Sequence, residues 1–286
     1  MKLTQNEIIK LHSQVDKGAG ASVSYSGFWK RFFEEYSIGT IERKRITFSY
    51  QDLSELNQLM ASLGIDNKAF ATPFKDRMEA SLHGDEKLTN VAVTSGFVML
   101  MGLNMPITVD RGEIPKGYAL TLPVDEACEI EIGTVVFVEN LEVFLKLHTF
   151  PIFLNLFKDE TNSVVALYRG GKPPMSAKGS KAFLRNFKGV VIGFCDFDPA
   201  GINQIGVSSC HSLILPSITS CIDGLRKLSK SDAFLAQVSN KKGLQSIATS
   251  SPGLEPYIDL MLSNALAVMS EHLLSHELAL SIVSLE

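Results

Sequence analysis

The chain has 286 residues, of which 45% are hydrophobic and 20% charged, and a net charge of -4 at pH 7. That length supports two domains or one large one, each with a real core, and the composition is ordinary for a soluble globular protein. The negative balance excludes a global attraction to nucleic acid, so any binding to DNA or RNA must come from local basic patches.

The opening MKLTQNEIIKLHSQ is amphipathic and lacks the apolar region of a signal peptide, and no apolar run reaches the length needed to cross a bilayer. Residues 4–15 and 52–63 read as helices, Arg45–Tyr50 as a strand, and Asn90–Pro123 as β-rich, with turns at Asp110-Arg111-Gly112 and Pro115-Lys116-Gly117. Residues 1–125 are therefore expected to form a smaller α+β domain that binds DNA or a partner. Within it, Trp29-Lys30-Arg31 and Arg43-Lys44-Arg45 are candidates for contact with a phosphate backbone, although Phe28, Trp29, Phe32 and Phe33 suit a core better.

From about Gly133 strand and helix alternate. Thr134–Val138 is a strand, Leu141–His148 a helix, Ser163–Tyr168 a second strand, Ser176–Phe187 a helix, and Val190–Cys195 a third strand. A short helix and a fourth strand, Ser212–Pro216, follow, and the tail Pro256–Ser284 reads as apolar helix. Repeated β-α units of this length imply an α/β domain over residues 126–286, with a parallel sheet and helices on both faces. The cysteines Cys128, Cys195, Cys210 and Cys221 form no C-x-x-C pair, which argues against a zinc knuckle or a disulfide scaffold and suits a reducing cytoplasm.

The third strand runs into Asp196-Phe197-Asp198-Pro199-Ala200-Gly201. Both carboxylates thus stand at the carboxyl end of a buried strand, where open α/β sheets place their ligands. A helix cap accounts for one Asp but not for two. Glu139 ends the first strand in the same way. If the first and third strands are neighbours, three carboxylates meet in one crevice, and either their pKa values rise or a divalent cation neutralises them. Hard oxygen ligands in that number suit Mg²⁺ or Mn²⁺, and such a site performs phosphoryl chemistry.

Glu139-Asn140 after the first strand, Gly170-Gly171 after the second and D-x-D-P-x-G after the third together resemble the Toprim domain. The form is closest to that of the topoisomerase VI A subunit and of the nuclease subunit of Wadjet-type plasmid-defence systems. The resemblance covers roughly Gly133 to Pro216. It implies a metal-dependent nuclease in which Glu139 is the metal-linked acid/base and Asp196 and Asp198 hold Mg²⁺. It also implies DNA as substrate, a homodimer, and an SMC-like or other ATPase complex as partner. Relatives of topoisomerase VI attack DNA with a tyrosine, but Tyr25, Tyr36 and Tyr50 match no such context, so hydrolysis by an activated water is favoured over transesterification. The alternatives are a tyrosine transesterase, or a catalytically silent scaffold that binds partners. A haloacid-dehalogenase-type phosphatase also uses D-x-D, but there the motif opens the fold.

Lys172, Lys178, Lys181 and Arg185 lie between the two acidic strand ends. The last three recur at helical spacing, so they can form a positive stripe for DNA phosphates; a solvated helix face fits equally well. His272 and His276, four apart, have a spacing that can ligate zinc, but no H-E-x-x-H arrangement accompanies them and a surface role is preferred. His148 and His211 are expected near the crevice, where either could assist proton transfer.

Overall fold

The computed structural model describes residues 2–82, 92–110, 112–206, 210–237, 239 and 241–285. Contacts divide the chain into Met1–Val93 and Thr94–Glu286. The expected break at residue 125 is therefore too late. The β-rich stretch taken for the end of the first domain instead pairs into the sheet of the second, and Val98, Leu100 and Leu122 are buried in that core. Asn90, Val91 and Arg111 of that stretch lie outside the described residues.

The first unit contains α1 (Gln5–Lys17), β1 (Ser22–Ser24), α2 (Gly27–Tyr36), β2 (Thr40–Glu42), β3 (Arg45–Thr47), α3 (Tyr50–Ser62) and α4 (Arg77–Ser81). Its antiparallel sheet has the order β1-β3-β2. Ile8, Leu11, Phe28, Phe32, Ile46, Phe48 and Leu56 fill the core, with Trp29 and Phe33 packed against it. The strand expected over Arg45–Tyr50 stops at Thr47. Ser49 and Asp52 form a reciprocal capping box that starts α3 and takes Tyr50 into the helix.

The second unit contains β4 (Phe97–Gly102), β5 (Ile107–Val109), β6 (Gly112–Ile114), β7 (Ala119–Pro123), α5 (Val124–Cys128), β8 (Thr134–Val138), α6 (Leu141–Lys146), α7 (Pro151–Leu154), β9 (Val164–Tyr168), α8 (Ala177–Asn186), β10 (Val190–Phe194) and α9 (Pro199–Gly206). It continues with β11 (Ser212–Pro216), α10 (Ile218–Leu228), α11 (Ser231–Ala236), α12 (Lys241–Ser250), α13 (Glu255–Ser263), α14 (Ser270–Ser275) and β12 (Leu280–Ser284). Seven strands form one sheet in the order β12-β11-β10-β8-β9-β4-β7.

This is an α/β unit, but its sheet is mixed rather than wholly parallel. The four central strands are parallel, as β-α crossovers require. β4 and β7 extend one side antiparallel, and β12 closes the other side against β11. The tail expected as continuous helix thus ends in an edge strand. The stretch Leu280-Ser281-Ile282-Val283-Ser284 is short, sets Ile282 beside Val283 and buries no residue fully, so no two-residue period marks it as a strand. β8 and β9 are buried at all five positions, consistent with their unbroken apolar sequences.

Candidate functional site

The order β10-β8-β9 decides where the site falls. From β8 the chain moves to β9 on one side, then crosses back to β10 on the other, so β8 is a switch point of the sheet. Ligand crevices of open α/β sheets form outside the carboxyl ends of strands at such points. The register is level: Val138 pairs with Phe194 on one side and with Tyr168 on the other. The next residues are therefore brought side by side, Glu139 in the middle, Arg169 on one flank and the Cys195-Asp196 turn on the other. Backbone bonds hold the three ends together, from the Glu139 amide to the Phe194 carbonyl (3.1 Å) and from the Arg169 amide to the Val138 carbonyl (2.8 Å).

The two aspartates differ in their commitments. Asp198 is 5% exposed. Its Oδ1 accepts from the Gly201 amide at 2.7 Å, and its Oδ2 accepts from Gln237 Nε2 at 2.8 Å. That is a helix N-cap, with Pro199 as the first residue of α9, so the capping role that one Asp could explain belongs to Asp198. Asp196 accepts at Oδ1 alone, from the amide and the hydroxyl of Ser270, both at 2.7 Å. Phe197 between them is fully buried and pairs with Val268 through the backbone, in keeping with a packing role.

Three further residues at the site are not evident from the motif. The segment carrying Val268 and Ser270 folds over the D-x-D turn and brings Glu271 with it, whose Oε1 accepts from Asn140 Nδ2 at 2.6 Å. Asn140 also caps α6 with its Oδ1, accepting from the amides of Glu142 and Val143. Arg169 reaches Glu139 Oε1 with Nη2 at 3.4 Å and donates from Nη1 to Gln204 Oε1 at 2.6 Å. In the sequence, Glu271 is one acid in a helical tail and Arg169 one cation before a glycine loop. Only the identity of Arg169 as the residue following a parallel strand could have flagged it.

Four carboxylates therefore gather at these strand ends, and one of them, Glu139, meets the Arg169 guanidinium. Burial raises the Glu139 pKa above its ordinary value; Arg169 pulls it down, the charges of Asp196 and Asp198 push it up, and the backbone amide of Asp196 lowers it. Burial likewise raises Asp196, the two Ser270 bonds lower it, and Asp198 and Glu271 raise it again. Glu139 Oε2 and Arg169 Nε are buried with no hydrogen-bond partner. A buried carboxylate oxygen without a donor is costly unless something occupies the space beside it.

These donors suit a hard divalent cation. The fit rests on Glu139 Oε2, which is buried and unpartnered, and on Asp196, which commits only one oxygen. As the side chains stand, no three His, Cys, Asp or Glu among the described residues close around a single point. The expected third ligand, Asp198, already accepts one hydrogen bond on each oxygen, from Gly201 and from Gln237, and keeps one further lone pair on each.

The other expected residues are placed as follows. Lys172, Lys178, Lys181 and Arg185 are exposed, and α8 buries the opposite face through Gly179, Ser180 and Phe183. In the first unit, Arg31 pairs with Glu7 and Lys30 with Glu34, while Arg43 and Lys44 form the exposed turn between β2 and β3 in the left-handed region. Tyr50 is 85% exposed, and Tyr25 and Tyr36 pack on Phe33 and Phe32.

His211 is not at the crevice. It precedes β11, and its Nδ1 accepts from the Val191 amide at the amino end of β10. His148 lies against Gly117, whose amide bonds Gly102 beside the amino end of β9. α6 has carried the chain back along the sheet before His148 is reached. The His272 and His276 rings meet edge to face, with centroids 6.4 Å apart. A groove of about 1530 Å³ opens at that amino end too, lined by apolar residues such as Ile107 and Leu122 and by the acids Asp110, Asp125, Glu126, Glu129 and Glu131. Burial raises the Cys195 thiol far above its usual range and lifts Cys210 to about 12, which makes neither a nucleophile. No helix among the described residues is long and apolar enough to cross a membrane.

No curated protein matches the chain. Residues 95–282 match a domain of unknown function (DUF7281). That span runs from the start of the large sheet into its last strand, includes Glu139, Arg169, Asp196, Asp198 and Glu271, and makes up more than half of the sequence. The chain belongs to the DUF7281 family.

Proposed function

We propose that the second unit is a Toprim-like, Mg²⁺- or Mn²⁺-dependent nuclease domain that hydrolyses DNA phosphodiesters. The observation that carries this reading is Glu139 at the switch point beside Asp196, with its Oε2 buried and unpartnered. A bound divalent cation supplies charge neutralisation and acidifies a coordinated water. Glu139 and Asp196 would hold it, with Asp198 as the third ligand. Glu139, at the middle strand end beside the metal position, is the carboxylate that the Toprim resemblance implies takes and returns the proton. The exposed cations Lys178, Lys181 and Arg185, with Lys172 in the preceding loop, grip the strand on either side of the cut. The chain works as a homodimer and in concert with an ATP-driven complex of the kind used in plasmid defence, as the motif resemblance implies.

The test incubates plasmid DNA with Mg²⁺ or Mn²⁺ and compares wild type with Glu139→Ala and Asp196→Ala. Nicking or linearisation by wild type alone supports the reading, and nicking that persists in both variants overturns it. One observation favours a second reading, a silent scaffold that binds partners: both Asp198 oxygens already accept a hydrogen bond. Metal binding without cleavage, alone and with the partner ATPase complex, would establish that reading.

A further inference from the structure

One expected ligand of a divalent cation, Glu139, is already in contact with a cation of the chain itself. Arg169 follows β9, level with Glu139 on β8, and its Nη2 stands 3.4 Å from Glu139 Oε1. This is a loose, single-armed contact, not the two-armed fork that guanidinium and carboxylate form when each is the other's settled partner. The second arm goes to Gln204 on α9, the helix that Asp198 caps, at 2.6 Å. The third nitrogen, Nε, is buried without a partner, as is the far oxygen of Glu139. Both members of the pair thus retain unused capacity, and the side chain of Arg169 remains 26% exposed.

A guanidinium and a divalent ion cannot both lie against Glu139 without strong mutual repulsion. We propose that Arg169 is an exchangeable counter-ion: it occupies Glu139 while the metal is absent, is displaced when a divalent cation binds, and then turns its freed donors onto a phosphate of the bound strand. The proposal rests on the metal reading of the site given above. It makes Arg169 a positioning residue for the metal and a contact residue for the substrate, two roles that respond to its removal with opposite sign. A guanidinium is suited to the second role because its fixed fork matches two phosphate oxygens.

The test uses the full chain and two readouts. Calorimetric titration with Mn²⁺ alone compares wild type, Arg169→Gln, Arg169→Lys and Lys172→Gln. Arg169→Gln should bind Mn²⁺ more tightly, on the order of tenfold, because its competitor is gone. Arg169→Lys keeps the charge and should fall between it and wild type. Lys172→Gln removes a nearby exposed cation that does not contact Glu139, and should change Mn²⁺ affinity less than twofold. In excess Mn²⁺, fluorescence anisotropy of a labelled DNA duplex should show Arg169→Gln binding DNA several-fold more weakly than wild type.

Equal Mn²⁺ affinity in wild type and Arg169→Gln, or weaker affinity in the variant, overturns the inference, because Arg169 would then be a structural support. A gain in Lys172→Gln as large as that in Arg169→Gln overturns it too, since the effect would be the general field. If Arg169→Gln does not fold, Arg169→Lys decides, and Mn²⁺ affinity below that of wild type refutes the exchange. If wild type takes up no Mn²⁺ that Glu139→Gln abolishes, the metal site itself fails, a result distinct from failure of the exchange.

Discussion

Gly201→Ala tests the packing that brings the D-x-D turn against α9. A Cβ at residue 201 would lie 2.4 Å from the carbonyl oxygen of Asp196 and 3.2 Å from Asp198 Oδ1. The nearer atom is backbone at the carboxyl end of a buried strand, so it cannot swing away as a side chain would. Forcing a methyl group into such a site costs about 1–3 kcal/mol, and the better helix propensity of alanine returns at most about 1 kcal/mol. A net loss of about 1–2 kcal/mol corresponds to a fall in Tm of roughly 2–8 °C for a unit of this size. Chemical and thermal denaturation of the full chain, followed by circular dichroism, measure it. Gly96→Ala is the control, because no atom lies within 4 Å of its Cβ position, and it should stay within about 0.5 kcal/mol of wild type. If Gly201→Ala is as stable as Gly96→Ala, the close approach of the aspartate turn to the helix is wrong, and the placement of Asp196 with it.

In chelator, Asp198→Ala removes the cap of α9 and leaves Gln237 Nε2 without its acceptor, and should cost about 1–2 kcal/mol in urea denaturation, whereas Asp198→Asn keeps an acceptor for Gly201 and should cost less. In chelator, the raised folded pKa of Glu139 gives a definite sign: the native state holds this proton more tightly than the unfolded chain, so the contribution is full below the ordinary value of 4.5 and is lost as pH rises through the raised value. Glu139→Gln, which cannot ionise, should therefore gain stability relative to wild type as pH increases across that window; a difference that does not vary with pH would contradict the burial of the carboxylate. Replacing Lys178, Lys181 and Arg185 together by Gln should weaken DNA binding and reduce the slope of log affinity against log salt by about 2–3, and an unchanged slope would assign the stripe to solvent.

The strands of the sheet's centre were legible because burial on both faces leaves an unmistakable apolar run, and the switch of the chain across β8 then fixes Glu139 beside Asp196. The ends of the sheet were not. β12 is a short edge strand at the end of a helical tail, without a regular apolar period, and β4 and β7 join the sheet antiparallel through pairings that only tertiary contact selects. The domain boundary was misplaced for the same reason, since a β-rich stretch does not state which core it serves. Within the site, the carboxylates carry their own sequence signal. Their partners do not: Ser270, Glu271 and Gln237 arrive from segments distant in the chain, and Asp198 shows its capping role only once Gly201 is seen donating to it. His148 and His211 were placed at the crevice by their distance from strand ends along the sequence, but a β-α unit returns the chain to the opposite end of the sheet before either is reached.

The central claim is that Glu139 and Asp196, helped by Asp198, enclose one divalent ion. A crystal grown or soaked in Mn²⁺ and measured at an energy where manganese scatters anomalously tests it most directly. A peak is expected within coordination distance of Glu139 Oε2, Asp196 and Asp198, with Arg169 withdrawn from Glu139. An ordered crevice with full Mn²⁺ in the crystal and no peak there, or with the ion bound elsewhere, would contradict it.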